Sequence, residues 1–303
     1  MWPGFPLMYP VMIEICAELC RGVVLLLGVL CLATTGGIAH AQGALTAYYS
    51  ITMTGVAVGE IKWTAEINEA SYIASASGKA SGVLSVLVNG EGAVNTSGTV
   101  ADGHLTPASF TSRITDDEGV SELQVSYVNG TAKEQVVSGP LPTPDRLPIS
   151  DDDRRDVADP LTAFLVPTMA RDDFLNTENC RRVLQIFDGR RRYNLALSPG
   201  RIDKYKALRG YNGPALVCSV VLQPVSGYKR DSTLVKYVAG RRDMELWFVP
   251  VAGTSLIAPI RVAMPTLVGT LKIEAGQFET VAAPPPSTAL PAPIEMKPLA
   301  PPR

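Results

Sequence analysis

Hydrophobic and polar positions alternate with a period of two through most of the chain after residue 42. From Glu60 to Ile67, the residues Ile61, Trp63, Ala65 and Ile67 share one face, and Glu60, Lys62, Thr64 and Glu66 the other. That is the pattern of a half-buried β-strand. Ser121–Val128 repeats it, with Leu123, Val125 and Tyr127 on one side. The pairs Asn89-Gly90, Asp102-Gly103, Asn129-Gly130 and Asp188-Gly189 separate such runs; Asx-Gly favours tight hairpins because both turn positions need positive φ. The pattern therefore predicts an antiparallel meander of about a dozen strands or more, and sheets of that size curl or close.

The alternation breaks in a few places. Gly139–Asp159 is rich in proline and charge and reads as a surface loop. Asp159-Pro160 then offers an N-cap followed by proline at the first helical position, and Leu161, Phe164, Leu165 and Met169 fall at helical spacing. One helix is expected near residues 159–171, shortened or kinked at Pro167. The strand pattern resumes from Cys180: Asn212-Gly213-Pro214 reads as a turn, Leu234–Val249 as two strands around Gly240, and Pro265 as an edge, bulge or turn. Residues 279–303 are rich in proline and alanine and read as an extended tail. The expected architecture is mainly β, a strongly curved antiparallel sheet of half-barrel or β-spiral type spanning 42–278. The central helix lies across or plugs its concave face.

The N-terminus changes the picture of compartment. Arg21, the apolar run Val23–Ala33 and Ala39-His40-Ala41 together resemble an export signal cleaved near Ala41. An uncleaved anchor is the alternative, although eleven apolar residues fall short of the ~20 that span a bilayer. Removal of residues 1–41 takes Cys16, Cys20 and Cys31 with it and leaves Cys180 and Cys218. In an oxidising compartment such a pair reads as a disulfide between two strands; a pair of free buried thiols is the competing reading. The expected location is the periplasm, at most peripheral to the membrane.

Composition excludes more than it suggests. Of the 303 residues 46% are hydrophobic and the formal net charge is −2, enough for a packed core and too little charge for a polyanion-coating protein. The charge is uneven: residues 42–160 hold sixteen Asp or Glu against seven Lys or Arg, whereas 180–242 hold fourteen Lys or Arg against three Asp. Arg190, Arg192, Lys204, Lys206, Arg241 and Arg242 are the candidate anion-binding residues in the basic half, against the alternative that they face water or pair with the acidic half. Export disfavours nucleic acid. The run Asp151-Asp152-Asp153 lacks calcium-loop spacing and is interrupted by Arg154 and Arg155. His104 is the one histidine after residue 41, so neither a histidine metal site nor a catalytic triad is legible. No metal, cofactor or catalytic residue is expected.

Tyr49–Glu60 (Y-x5-G-V-x-V-G-E), Asp159–Leu165 (D-P-L-T-A-F-L), C-x3-L-Q-I-F-D-G-R-R-R-Y-N-L from Cys180, G-P-A-L-V-C from Gly213 and P-V-S-G-Y from Pro224 resemble the exported proteobacterial family known as domain of unknown function 3108. The resemblance covers residues 45–275 and its motifs are structural. More loosely, the pattern is similar to half-barrel lipoprotein carriers and to disulfide-bonded β-spiral envelope-integrity proteins. That similarity implies a curved sheet around an apolar concave surface, with Leu161, Phe164 and Leu165 as the lid. The functional expectation is a non-enzymatic periplasmic protein of cell-envelope maintenance that binds an acyl lipid, a lipoprotein segment or an envelope protein on the concave sheet. The alternative is a structural scaffold with a filled core. An enzyme acting through His104 is a third reading.

Overall fold

The computed structural model describes residues 42–81, 90–117, 119–139, 145–169 and 173–282. The first seven strands are β1 (Gly43–Met53), β2 (Val56–Ile67), β3 (Ser71–Ala80), β4 (Gly90–Ala101), β5 (His104–Asp116), β6 (Gly119–Val128) and β7 (Thr131–Ser138). After a loop come a single helical turn α1 (Pro160–Ala163), the short β8 (Val166–Pro167), β9 (Arg182–Phe187), β10 (Arg192–Lys206), β11 (Arg209–Gly210) and β12 (Asn212–Ser226). A second helix α2 (Thr233–Ala239) precedes β13 (Met244–Pro250), β14 (Leu256–Thr266) and β15 (Gly269–Ala282). All belong to one sheet in the order β7-β6-β5-β4-β3-β2-β1-β15-β14-β13-β12-β10-β9, with β11 and β8 as side pairings. The expected mainly β, strongly curved antiparallel architecture is what the chain forms, and the sheet is barrel-like and nearly closed.

Turn chemistry sets the register. Asp102-Gly103 and Asn129-Gly130 have positive φ at both positions (50° and 76°, 49° and 71°), which matches the twist of the strands they join. Thr54-Gly55 does the same at 51° and 85°. There a β-branched residue is held in the left-handed region by its N–H to Thr270 O (2.9 Å) and its hydroxyl to Val268 O (3.3 Å). Bulges at Tyr48/Tyr49, Ser97/Gly98 and Pro199/Arg201 add curvature. Two of them need glycine: a Cβ on Gly98 would lie 2.1 Å from Thr106 O, and one on Gly200 2.4 Å from Val217 O. Asn89 lies outside the described residues, as do 1–41 and 283–303.

Three apolar clusters hold the sheet in its bend. In the first, the inward positions of β1–β3 (Leu45, Ala47, Tyr49, Trp63, Ala65, Ile67, Tyr72) meet Ala215 and Val217 of β12, Trp247 and Val249 of β13 and Ile260 of β14. Tyr49 Oη donates to Pro259 O across this layer (2.7 Å). The opposite face of β12 and β13 (Leu216, Cys218, Leu246, Phe248) packs under Val238 of α2, Cys180 and Val166. β12 and β13 are therefore buried on both faces, which explains the near-continuous apolar run Ala215–Val221. Phe110, Leu123, Val125 and Tyr127 form a third cluster with Val157 and Phe187. Each fully buried side chain of this size contributes roughly 1.5–3 kcal/mol.

Several sequence expectations are corrected. The helix near 159–171 is one turn, Pro160–Ala163. Phe164 closes it, Leu165 N donates to Thr162 O (3.1 Å), and Val166 and Pro167 then pair with Ile257 and Leu256, so β14 claims the segment before a second turn can form. Met169 is 63% exposed rather than part of an apolar face. A second helix, unexpected, occupies Thr233–Ala239: Ser232 caps it by accepting at Oγ from Val235 N (3.3 Å), and Gly240 ends it. Asn212-Gly213-Pro214 opens β12 and is not a turn; the reversal comes earlier, where Gly210 has φ of 85° and Ala207 N donates to Tyr211 O. Glu279–Ala282, expected in the tail, pairs with Gly43–Thr46 as the end of β15. Pro265 lies beyond the reach of β13, beside the β14–β15 turn, where its missing N–H is harmless.

Candidate functional site

Because alternate residues of β1–β3 fill the interior, the intervening ones form an outward surface whose rows follow from strand register. One row runs Arg209, Gln277, Tyr48, Lys62, Ser77, Ala93, Arg113, Glu122 across β11, β15 and β1–β6. The next runs Glu274, Ser50, Glu60, Lys79, Glu91, Thr115. The middle of the first row carries small side chains, and Gly59, Gly78 and Gly92 lie behind it. The result is a groove of about 1040 Å³ on the outside of the sheet, bordered by Tyr48, Lys62, Leu208 and Arg209.

Charge within the groove is unequally committed. In the second row Lys79 pairs with Glu60 (3.0 Å), and in the first Arg113 pairs with Glu122. Among the described residues neither Lys62 nor Arg209 has a carboxylate partner; the Lys62 ammonium sits 5.7 Å above the Tyr48 ring. Leu208 is 92% exposed and Tyr48 43%. An apolar ledge flanked by two uncommitted cations can hold a ligand with an anionic group.

The interior is a different environment. Asp159, fully buried, accepts at Oδ1 from Leu161 N (3.0 Å) and Thr162 N (3.1 Å), and at Oδ2 from the hydroxyls of Thr162 (2.5 Å) and Thr96 (2.8 Å). Tyr72 Oη, 2.5 Å from Thr162 Oγ1, donates to it because the Thr162 proton is already given to Asp159. Burial pushes the Asp159 carboxyl above its usual range, against the pull of the four hydrogen bonds. Every lone-pair direction is used, so the cluster locks α1 to β3 and β4 and offers no ligand position.

The residues singled out in the sequence are placed as follows. Cys180 and Cys218 form a disulfide with Cα atoms 5.5 Å apart, both shielded from solvent. Leu161, Phe164 and Leu165 are not a lid: Leu161 and Leu165 are buried in the first cluster, and Phe164 packs against the first and second. The six proposed anion-binding residues do not converge. Arg192 is 6% exposed and donates to Tyr193 O, Gln185 Oε1 and Asn194 Oδ1. Arg190 donates to Ser121 Oγ. Lys204 and Lys206 lie at the other end of β10, roughly 40 Å from Arg192 at the rise of a strand. Arg241 is paired with Asp243 and stacks on Tyr237, and Arg242 donates to Ala239 O and Arg241 O. His104 borders a cleft of about 450 Å³ between β5, α1 and β9, and among the described residues no carboxylate or nucleophile is hydrogen-bonded to it. Among the described residues no group of three or more His, Cys, Asp or Glu is arranged to hold a metal ion, and no helix is long and apolar enough to cross a membrane. Lys62, Tyr48 and Arg209 were not singled out as site residues in the sequence: Tyr48 and Lys62 sit on the polar side of their strands, and Arg209 is one of the fourteen basic residues of 180–242.

No curated protein matches the sequence. Among solved structures the chain is similar to a beta-barrel-like protein of domain of unknown function DUF1849 from Brucella abortus, at 8% identity and a TM-score of 0.43, over 80% of this chain and 98% of that one. A family model described as "Protein of unknown function (DUF3108)" matches residues 48–275. The motifs at Tyr49–Glu60, Asp159–Leu165 and Cys180–Leu195 all lie within that span, and the chain belongs to this family.

Proposed function

We propose that the protein is an exported, non-enzymatic binding scaffold of the cell envelope, and that its ligand or partner engages the outward groove over β1–β5. The observation that carries this reading is the contrast between two faces of the same strands. The inward face, expected from sequence to cradle an acyl chain, is filled by Trp63, Tyr72, Phe278 and their neighbours. The outward face keeps a groove with an exposed leucine, an exposed tyrosine and two cations that have no carboxylate partner among the described residues. The disulfide and the N-terminal signal support an oxidising compartment. A photo-reactive phenylalanine at position 208, introduced in the native host, should give a discrete adduct that the same probe at the exposed Val225 does not. Adduct formation abolished by Lys62→Glu with Arg209→Glu supports the groove; equal labelling at both positions overturns it.

The filled interior also favours a second reading, a structural scaffold that holds no ligand. It predicts no adduct at position 208 and no change in envelope integrity when Lys62 and Arg209 are reversed in charge.

A further inference from the structure

β7 stands at one end of the strand path and, among the described residues, pairs with β6 on one side only. Its eight residues contain no proline, and Val136 is 66% exposed. A strand edge of that kind can present N–H and C=O groups to an extended chain. The register with β6 shifts between Val125 and Tyr127, opposite Lys133, and is regular again from Gln135 to Ser138.

Against the first half of this edge lies a second groove, of about 580 Å³, bordered by Thr131, Lys133, Gln135, Asp151, Arg154 and Arg155. Its border carries three cations and Asp151, with Asp152 beside Arg155. Arg154 is fixed in place: its Nη1 donates to Gln135 Oε1 (3.1 Å), its guanidinium lies 5.3 Å from the centre of the Phe187 ring, and Gln135 is itself held by Gly189 O. Arg155 pairs with Asp152 (3.0 Å), but both side chains are largely exposed, so the pair is weak and exchangeable. A preorganised cation beside an open sheet edge lowers the ordering cost of a strand that carries carboxylates.

We propose that the β7 edge takes up an extended, acidic segment of a partner polypeptide by strand addition. The partner's backbone pairs with Gln135–Ser138, and its acidic side chains lie in the groove and meet Lys133, Arg154 and Arg155. This surface is separate from the groove over β1–β5 and does not depend on it.

The test is amide hydrogen exchange on the whole protein with a synthetic nonapeptide of alternating valine and threonine bearing three glutamates at one end, beside the same peptide with lysines in place of the glutamates. With the acidic peptide, exchange within Gln135–Ser138 slows by about tenfold or more, as for amides entering a ladder. The lysine peptide gives no such protection. Lys133→Glu with Arg155→Glu, both at exposed positions, weakens the acidic peptide by about tenfold. Because Arg154→Glu disturbs a packed contact, it is read only alongside a melting curve. Protection that appears elsewhere, equal binding of the two peptides, or no binding of the acidic peptide at about 1 mM overturns the proposal.

Discussion

At Asp159 the side chain caps the only turn of α1 and is enclosed by Thr96, Thr162 and Tyr72. Asp159→Ala removes the cap, which costs about 0.5–2 kcal/mol, and takes the acceptor from the buried Thr162 hydroxyl, at roughly 1–3 kcal/mol, while Thr96 can still donate to Ser109 O (3.0 Å). The expected loss is about 2–4 kcal/mol, read as a lower urea midpoint at unchanged slope. The charge itself has the opposite sign. Burial raises the folded-state pKa, so the folded protein holds this proton more tightly than the unfolded chain does. Stability is therefore lost as pH rises from the unfolded value near 3.9 through the folded one, and stays level above it. Asp159→Asn keeps an acceptor and has no such penalty, so its stability relative to the parent should improve between pH 3.5 and pH 7. Denaturation of both proteins at the two pH values measures this, and a relative stability independent of pH contradicts it. Glu245 works the other way: its hydrogen bond to Arg201 holds its carboxyl low, so its contribution is gained as pH rises toward the ordinary glutamate value.

Elements were legible in the sequence where one residue type answers one local demand. Asp102-Gly103 and Asn129-Gly130 could be placed because their left-handed turn geometry is a property of the dipeptide. Thr54-Gly55 could not, because a threonine reaches the same geometry only with help from Thr270 and Val268 on β14–β15, which are distant in sequence. The extent of α1 was misread because the apolar spacing through Met169 is as helical as that of many real helices; pairing of Val166 and Pro167 with β14 decides otherwise. Thr233–Ala239 shows the converse error: Val235, Tyr237 and Val238 give it the β-branched and aromatic composition of a strand, while Ser232 and Gly240 cap a helix. Cysteine counting succeeded because only two cysteines follow residue 41, and it carries a prediction. The bridge ties the end of a 3₁₀ turn (Thr177–Cys180) to the middle of β12 across 38 residues. Cys180→Ser with Cys218→Ser should cost roughly 4 kcal/mol on the chain-entropy model. Since both cysteines are 1% exposed or less, the bond should resist millimolar reductant in the native state and open once urea is added, which alkylation followed by mass mapping would read.

The whole molecule depends on how the two ends of the sheet meet, which alternation cannot foretell because it arises from strands about sixty residues apart. Tyr127 Oη on β6 donates to Phe187 O at the end of β9 (2.8 Å), and Val157 N donates to Gly130 O. Ala158 N donates to Gln185 O, and Ala158 O accepts from Phe187 N, so the loop before α1 stitches the seam. The outward groove has the same origin: its first row is assembled from eight strands, and no stretch of sequence contains it. Phe187 is the side chain that both ends share, fully buried between Tyr127, Val157 and the stacked Arg154. Phe187→Ala should cost about 3–5 kcal/mol. Because the strand path is continuous and β12 and β13 are packed on both faces, that loss should not stay local. Unfolding of the variant, followed by far-ultraviolet circular dichroism and by tryptophan emission, should remain one coincident transition at a lower midpoint. Two separate transitions, with Trp63 and Trp247 in the first cluster holding their native signal after the seam has opened, would mean that the barrel closes only as an accessory to a core that stands alone.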